Sequence, residues 1–183
     1  MNLETNRLII RNLRESDLED FFAYRSDPRV CEFQGYEPMT RENAAGFIGK
    51  VKDAEFGKPG EWIQLGVELK SENKIIGDIG LRPEQNEPRI VEFGVSFSTR
   101  YQGKGYAREA LTKIFDFLFN EAAIHRITGI VDAENPSVIR LLENLNFRRE
   151  AEFKQSFWDA PKNEWRDEFL YAMLAVDWKS NLK

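Results

Sequence analysis

The 183-residue chain carries 31 acidic against 26 basic side chains, a formal net charge of −5, and 42% apolar residues. At ~150 residues per domain, residues 1–183 are expected to form one domain with a real core; the negative balance removes the electrostatic footprint of a general nucleic-acid binder. The apolar fraction is too high for disorder, and no apolar run approaches the ~20 residues that span a bilayer, so neither nucleic acid nor membrane is an expected partner.

The first seven residues lack the apolar stretch of a secretory leader, and a cytoplasmic location is expected. Cys31 and His125 are the only residues of their kinds. An internal disulfide and an ordinary Cys/His zinc site are thereby excluded, and no metal is expected.

In chain order, residues 7–13 read as a first strand. The capping-box spacing of Ser16 and Glu19 then predicts a helix through Phe21, Phe22 and Tyr24. Proline disfavours helix in the residue before it, so Asp27-Pro28 ends that helix. A loop at Tyr36-Glu37-Pro38 precedes Thr40, which caps a helix running toward Ala54; this stretch is expected to shape a pocket rim. Residues 62–69 and 74–81 are strand-like runs about the polar turn Ser71-Glu72-Asn73, hence a hairpin. After a loop flanked by Pro83 and Pro88, residues 89–97 give another strand.

The clearest helix is 106–122, with Ala107, Ala110, Leu111, Ile114 and Leu118 at helical spacing. A strand at 126–131 follows. Asn135-Pro136 then supplies the N-cap and first-turn proline of a helix that carries Val138, Leu141, Leu142 and Leu145 on one face, and Asn146 can end it in the left-handed conformation. Residues 150–159 and 165–176 close the chain as a strand hairpin about the turn 161–163.

The segment that carries chemistry is Arg100-Tyr-Gln-Gly103-Lys-Gly105-Tyr-Ala107, between a strand and the best helix. Its glycines remove side chains where backbone amides must approach an anion, and the helix start adds partial positive charge, which suits a pyrophosphate. A phosphate-loop NTPase needs serine or threonine after Gly-Lys, and Gly105 stands there instead. A dinucleotide fingerprint needs a third glycine where Arg108 stands. The same glycines also serve simply to turn a strand into a helix.

Arg100-x-x-Gly103-x-Gly105 resembles the acetyl-coenzyme A (acetyl-CoA) signature of the GNAT N-acetyltransferase superfamily. Residues 4–8 (Glu-Thr-Asn-Arg-Leu), Asp27-Pro28, residues 102–107, Glu134-Asn135-Pro136 and Leu170-Tyr-Ala172 resemble the RimJ/RimL-type branch, whose named activity is ribosomal-protein-alanine N-acetylation. The resemblance implies a mixed α/β (α+β) fold. Its central, mostly antiparallel sheet has a splayed parallel strand pair at the cofactor site and helices on both faces. It further implies an acetyl-CoA-dependent N-acetyltransferase in which acetyl-CoA enters the V between the splayed strands. An amine acceptor approaches from the opposite side and attacks directly in a ternary complex.

Carried onto this chain, the resemblance assigns Val95, Ser96 and Phe97 to the pantetheine arm. Arg100, Gln102, Gly103, Lys104, Gly105, Tyr106, Ala107 and Arg108 are assigned to the pyrophosphate loop, and Asn135 to the pantetheine or, equally, to capping its helix. Many superfamily members carry tyrosine at the position of Leu142 as the acid for the leaving thiolate, and the RimJ/RimL-type branch often has serine at the position of Val138. This chain offers Ser137 one residue earlier. Glu92 and Asp159 are the candidate carboxylates for proton transfer or acceptor binding, set against strand pairing for Glu92 and turn capping for Asp159. Tyr36, Trp158 and Trp165 are candidates for an acceptor pocket, set against ordinary core packing. His125 reads as a helix-end dipole partner and Cys31 as a small buried residue.

The acceptor is expected to be a protein or peptide N-terminus or another α-amine. A small-molecule amine (antibiotic, polyamine or amino acid) and a non-catalytic acyl-CoA sensor are the alternatives, and a homodimer is left open.

Overall fold

The computed structural model describes residues 1–180; residues 181–183 of the expected domain lie outside the described residues. The strands are β1 (Asn2–Glu4), β2 (Leu8–Asn12), β3 (Ile63–Leu69), β4 (Lys74–Pro83), β5 (Ile90–Phe97), β6 (Arg126–Asp132), β7 (Arg148–Asp159) and β8 (Glu164–Leu174). The helices are α1 (Leu18–Arg25), α2 (Pro28–Cys31), α3 (Arg41–Val51), α4 (Tyr106–Asn120), α5 (Pro136–Asn144) and α6 (Ala175–Ser180). One sheet runs β1-β2-β3-β4-β5-β6-β8-β7. Its neighbours are antiparallel except β5 and β6, the parallel pair.

Alternation along the strands gives each sheet face its own cover. One face carries Leu8, Ile10, Leu65, Ile79, Val91, Phe93 and Ile127, and buries them against Leu111, Ile114, Phe115 and Leu118 of α4. The periodic apolar residues of 106–122 therefore do what their spacing predicts. At the β4 end of the other face, Ile75 meets Phe21 and Tyr24 of α1 and Ala44 and Ile48 of α3. Helices thus cover both faces.

The structure differs from several expected bounds, two of them for tertiary reasons. The helix start expected from Ser16 and Glu19 is organised instead by Asp17, whose carboxylate accepts the Arg14 amide (2.7 Å) and both terminal nitrogens of buried Arg11 (2.8 and 2.9 Å). A strand expected through residue 176 ends at Leu174, because α6 lays the Trp178 ring against Phe115 and Phe119 and lets its indole donate to Asp116 (2.7 Å). Pro28 does end α1, but with Asp27 accepting the Arg29 amide it also starts the short helix α2.

The parallel pairing is brief: Ile90, Val91 and Glu92 lie opposite Arg126, Ile127 and Thr128, and there it stops. β5 continues along β4 alone, and β6 along β8 alone. At the point of separation the Phe93 ring occupies the space over Gly129, where a Cβ would come within 2.8 Å of it. Phe93 cannot easily withdraw, being edge-on to both Phe115 and Phe147. Gly129→Ala is therefore expected to overpack this junction and cost about 1–3 kcal/mol in urea unfolding, with Phe93→Leu restoring part of the loss. An unchanged midpoint would show that the two strands are held apart by something else.

Candidate active site

The separation of β5 from β6 leaves a cavity of about 740 Å³. Val95, Ser96 and Phe97 of β5 form one wall, and Asn135, Ser137 and Val138 at the start of α5 form the other. The floor is the loop Gln102–Gly103 with Gly105 and the first turn of α4, Tyr106 to Arg108. Phe33 and Gln34, just after α2, close the remaining side.

The loop has the conformation its glycines permit. Gly103 and Gly105 sit at φ 73° and 80°, in the left-handed region where a side chain is strained. The first bond of the α4 ladder runs from the Glu109 amide to the Gly105 carbonyl (3.0 Å), so the amides of Tyr106, Ala107 and Arg108 precede the ladder and face out of the helix end. Those amides, the helix dipole and the Arg108 cation make this end of the cavity suited to an anion. Gln102 ties the loop to the end of β5 by donating to the Phe97 carbonyl (2.9 Å).

Behind the wall, on the other face of the sheet, stands a buried polar network. Asp78 is 0% exposed and accepts from Tyr24 (2.7 Å), from the Arg25 guanidinium and from Gln64. The Arg25 guanidinium also lies 4.5 Å from the centre of the Tyr36 ring. Tyr36 in turn shares a 3.0 Å hydrogen bond with Ser96, which lines the cavity. Burial pushes the Tyr36 hydroxyl up to about 12, so it stays protonated at neutral pH. Further along this face the floor is Gly80 opposite Gly94, followed by Arg82 opposite Glu92, with Trp62 packed on Gly80 and its ring 5.0 Å from the Arg82 guanidinium.

Of the expected cofactor residues, Val95, Ser96, Phe97, Gln102, Gly103, Gly105, Tyr106, Ala107, Arg108 and Asn135 line the cavity, and so does Ser137. Asn135 also caps α5, accepting the Val138 amide (3.2 Å), so its two readings coexist. Arg100 and Lys104 stand outside the lining, their cations 5.4 and 5.5 Å from the centre of the Tyr101 ring. Leu142 is fully buried in the core.

The remaining candidate residues do not line the cavity. Asp159 is not brought to the cavity; it is buried in its own hairpin and accepts the Lys162 amide (3.3 Å), which is the turn-capping role. Trp158 and Trp165 neither floor a pocket nor enter the core: they are cross-strand partners, 42% and 56% exposed, packed edge to face on each other. Glu92 lies off the cavity lining, on the opposite face, bonded to Arg82. Tyr36 touches the cavity wall through Ser96 rather than flooring a pocket. Cys31 is buried, and burial raises its thiol pKa, against a nucleophilic role.

Sequence reasoning missed Gln34, whose amide donates to the Val95 carbonyl (3.2 Å), and the whole Asp78 network. A lone carboxylate inside the apolar run 75–81 was the available signal for Asp78; nothing local marks Gln34.

Residues 7–148 match the family described as "Acetyltransferase (GNAT) domain". The chain belongs to that family. It is 34% identical to the uncharacterized N-acetyltransferase YnaD of Bacillus subtilis, covering 97% of this chain and 99% of that one. It is 27% identical to the ribosomal protein uS5-alanine N-acetyltransferase of Escherichia coli over 97% of this chain and 93% of that protein. Its fold superposes with TM-score 0.80 and 21% identity on spermidine N-acetyltransferase from Vibrio cholerae in complex with CoA and spermine, covering 96% and 99% of the two chains. The protein is an acetyl-CoA-dependent acyltransferase of the GNAT fold. Among the described residues no helix is long and apolar enough to cross a membrane.

The wall between cavity and network depends on one ion pair. Asp78→Ala leaves the Arg25 guanidinium buried without its carboxylate and is expected to cost about 3–5 kcal/mol in chemical denaturation. Arg25→Met/Asp78→Ala should lose less than Asp78→Ala alone, since the uncompensated charge is gone. Equal losses in the single and double variants would refute the pairing.

Proposed function

We propose that the protein acetylates an α-amine, a peptide or protein N-terminus before a small α-amino compound, in the cytoplasm. The observation that carries the reading is the cavity itself. It joins a helix end suited to an anion to the stretch of β5 that has left β6. Acetyl-CoA fits this shape: the amides of Gly103, Gly105 and Ala107 and the charges of Lys104 and Arg108 would hold its pyrophosphate. The edge at Val95–Phe97 would pair with its amide-bearing arm, with Asn135 opposite. When bound, it supplies an acetyl thioester.

What this chain's residues then do is orient and move protons. The open surface over Gly94, beside the Arg82–Glu92 pair on the face opposite the cavity, would receive the amine. Fixing two reactants in line lowers the barrier by several kcal/mol, on the order of 7–11 in the best cases. Glu92, fixed by Arg82, holds the water that takes the amine's proton. Ser137, the hydroxyl on the cavity side of α5, donates to the departing sulfur, an undemanding task because a thiol's pKa is about 8.5.

The preference for α-amines is chemical. With a pKa of about 7.7–8.0, about a tenth of an α-amine is neutral at pH 7, whereas an amine near 10.4 is almost wholly protonated. A carboxylate is in general a weak base, so the more easily deprotonated amine is favoured. The chain's similarity to a ribosomal-protein-alanine acetyltransferase supports the same preference.

The test is thiol release from acetyl-CoA with a panel of amines. Peptide or amino-acid α-amines should turn over faster than spermidine. Faster turnover of spermidine would replace the reading by a polyamine acetyltransferase, and absence of thiol release with every amine of the panel, CoA binding being retained, by a non-catalytic acyl-CoA-binding module.

Glu92→Gln should lower kcat about 10- to 100-fold at pH 7 with little change in the KM for acetyl-CoA. The deficit should shrink toward pH 9, where the amine deprotonates itself. A constant deficit across pH 6–9 would remove Glu92 from proton transfer.

A further inference from the structure

The N-terminal Thr5-Asn6-Arg7 segment, which belongs to neither wall of the cavity, is built into the cofactor loop from behind. The Arg7 Nε donates to Glu109 Oε2 (2.6 Å), and the Arg7 backbone amide donates to Glu109 Oε1 (3.1 Å). Thr5 Oγ1 donates to the same Oε1 (2.5 Å). The other arm of the Arg7 fork donates to the Lys104 carbonyl (3.2 Å), and the guanidinium lies 4.4 Å from the centre of the Tyr106 ring. A Cβ on Gly105 would sit 3.6 Å from an Arg7 nitrogen. One planar cation therefore touches the loop on each side of Gly105 and the first turn of α4.

Glu109 explains why a cation is needed there. An acidic side chain in a first helical turn is ordinarily favourable to the helix dipole. At this helix end, however, the amides are to receive an anion, and a free carboxylate one turn away would compete for them and repel it. Although burial pushes the Glu109 carboxyl up, the bonds from Thr5 and Arg7 outweigh it and hold the carboxyl below the usual range.

We propose that Arg7 is a positioning residue for acetyl-CoA. By bridging the Lys104 carbonyl and Glu109 it locks the Gly103–Gly105 turn with its amides aimed into the cavity, and it removes the charge of Glu109 from the field the pyrophosphate meets. The inference rests on the acetyl-CoA reading above. The Arg7 side chain is 45% exposed, so its ion pair adds little to folding; its effect is on the ligand. Lysine would supply the charge but not the fork that spans both acceptors.

The experiment uses the full chain and measures CoA binding by calorimetry, with thermal unfolding alongside. Arg7→Met should raise the CoA Kd about tenfold, Arg7→Lys less, while the unfolding midpoint moves by no more than a few degrees. Arg7→Met/Glu109→Gln should recover part of the lost affinity, because the unpartnered carboxylate is gone. With S-acetylpantetheine, which has no pyrophosphate, kcat/KM should be the same in wild type and Arg7→Met. Wild-type CoA affinity in Arg7→Met overturns the inference, as do equal losses with acetyl-CoA and S-acetylpantetheine. Failure of the wild-type chain to bind CoA at all would instead overturn the acetyl-CoA reading on which the inference stands.

Discussion

Parallel pairing between β5 and β6 lasts for three residue pairs and ends where the Phe93 ring lies over Gly129. That steric fact has two consequences that need each other. Beyond Glu92, β5 keeps its β4 partner and pairs with no second strand among the described residues; the carbonyls of Val95 and Phe97 accept instead from the side chains of Gln34 and Gln102. In an ordinary sheet such an unpaired edge would be filled by another strand. Here it is held open by aromatic packing of Phe93 with Phe115 and Phe147, and Phe115 belongs to the helix whose first turn floors the same cavity. The wedge and the helix end at the floor of the cavity are therefore parts of one packed unit.

Charge is distributed to match. The chain is net negative, yet Arg108 and the leading amides of α4 lie at the floor of the cavity, with the Arg100 and Lys104 cations beside the same loop on Tyr101. An acidic protein can still present a local positive field, because fixed dipoles and nearby cations dominate within a Debye length of about 8 Å. Across the sheet the chemistry is reversed. There a buried carboxylate, Asp78, collects donors from α1 and β3 and holds the wall rigid. The placement of Arg25 between Asp78 and Tyr36 lets one cation serve the network and orient the ring that reaches Ser96.

The features readable in the sequence were the local ones. Helix α4 announced itself by period, and Gly103 and Gly105 by a conformation that other residues avoid, so loop and helix end emerged together. The two hairpins were readable from their polar turns. What failed depended on distant partners. Ser16 and Glu19 spell a capping box, but Asp17 is claimed by Arg11, which a local pattern does not contain. Trp158 and Trp165 look like core residues because aromatics in strands usually are; they pair across β7 and β8, the last two strands of the sheet, and which strands lie there is a property of the topology. Asp159 was balanced between turn and site, and only the course of the hairpin decides for the turn. Strand pairing, the alternative weighed for Glu92, is realised in its bond to Arg82.

Helix α5 sharpens the question of how the sulfur is served. Ser137, Val138, Leu141 and Asn144 face the cavity, whereas Leu142 points into the core against which the sheet packs. A hydroxyl at 142 would therefore need a different seating of the helix, and Ser137 is the hydroxyl that α5 presents to the cavity. A single weak donor suffices only if the sulfur and the amine are already held in line, because a modest hydrogen bond contributes about 1 kcal/mol while orientation contributes several times that. The demand thus passes from acid strength to geometry. The observed supports of that geometry are the Phe93 ring over Gly129 and the Asp78 network behind β5, and the Arg7 bonds to Lys104 and Glu109 behind the loop that floors the cavity.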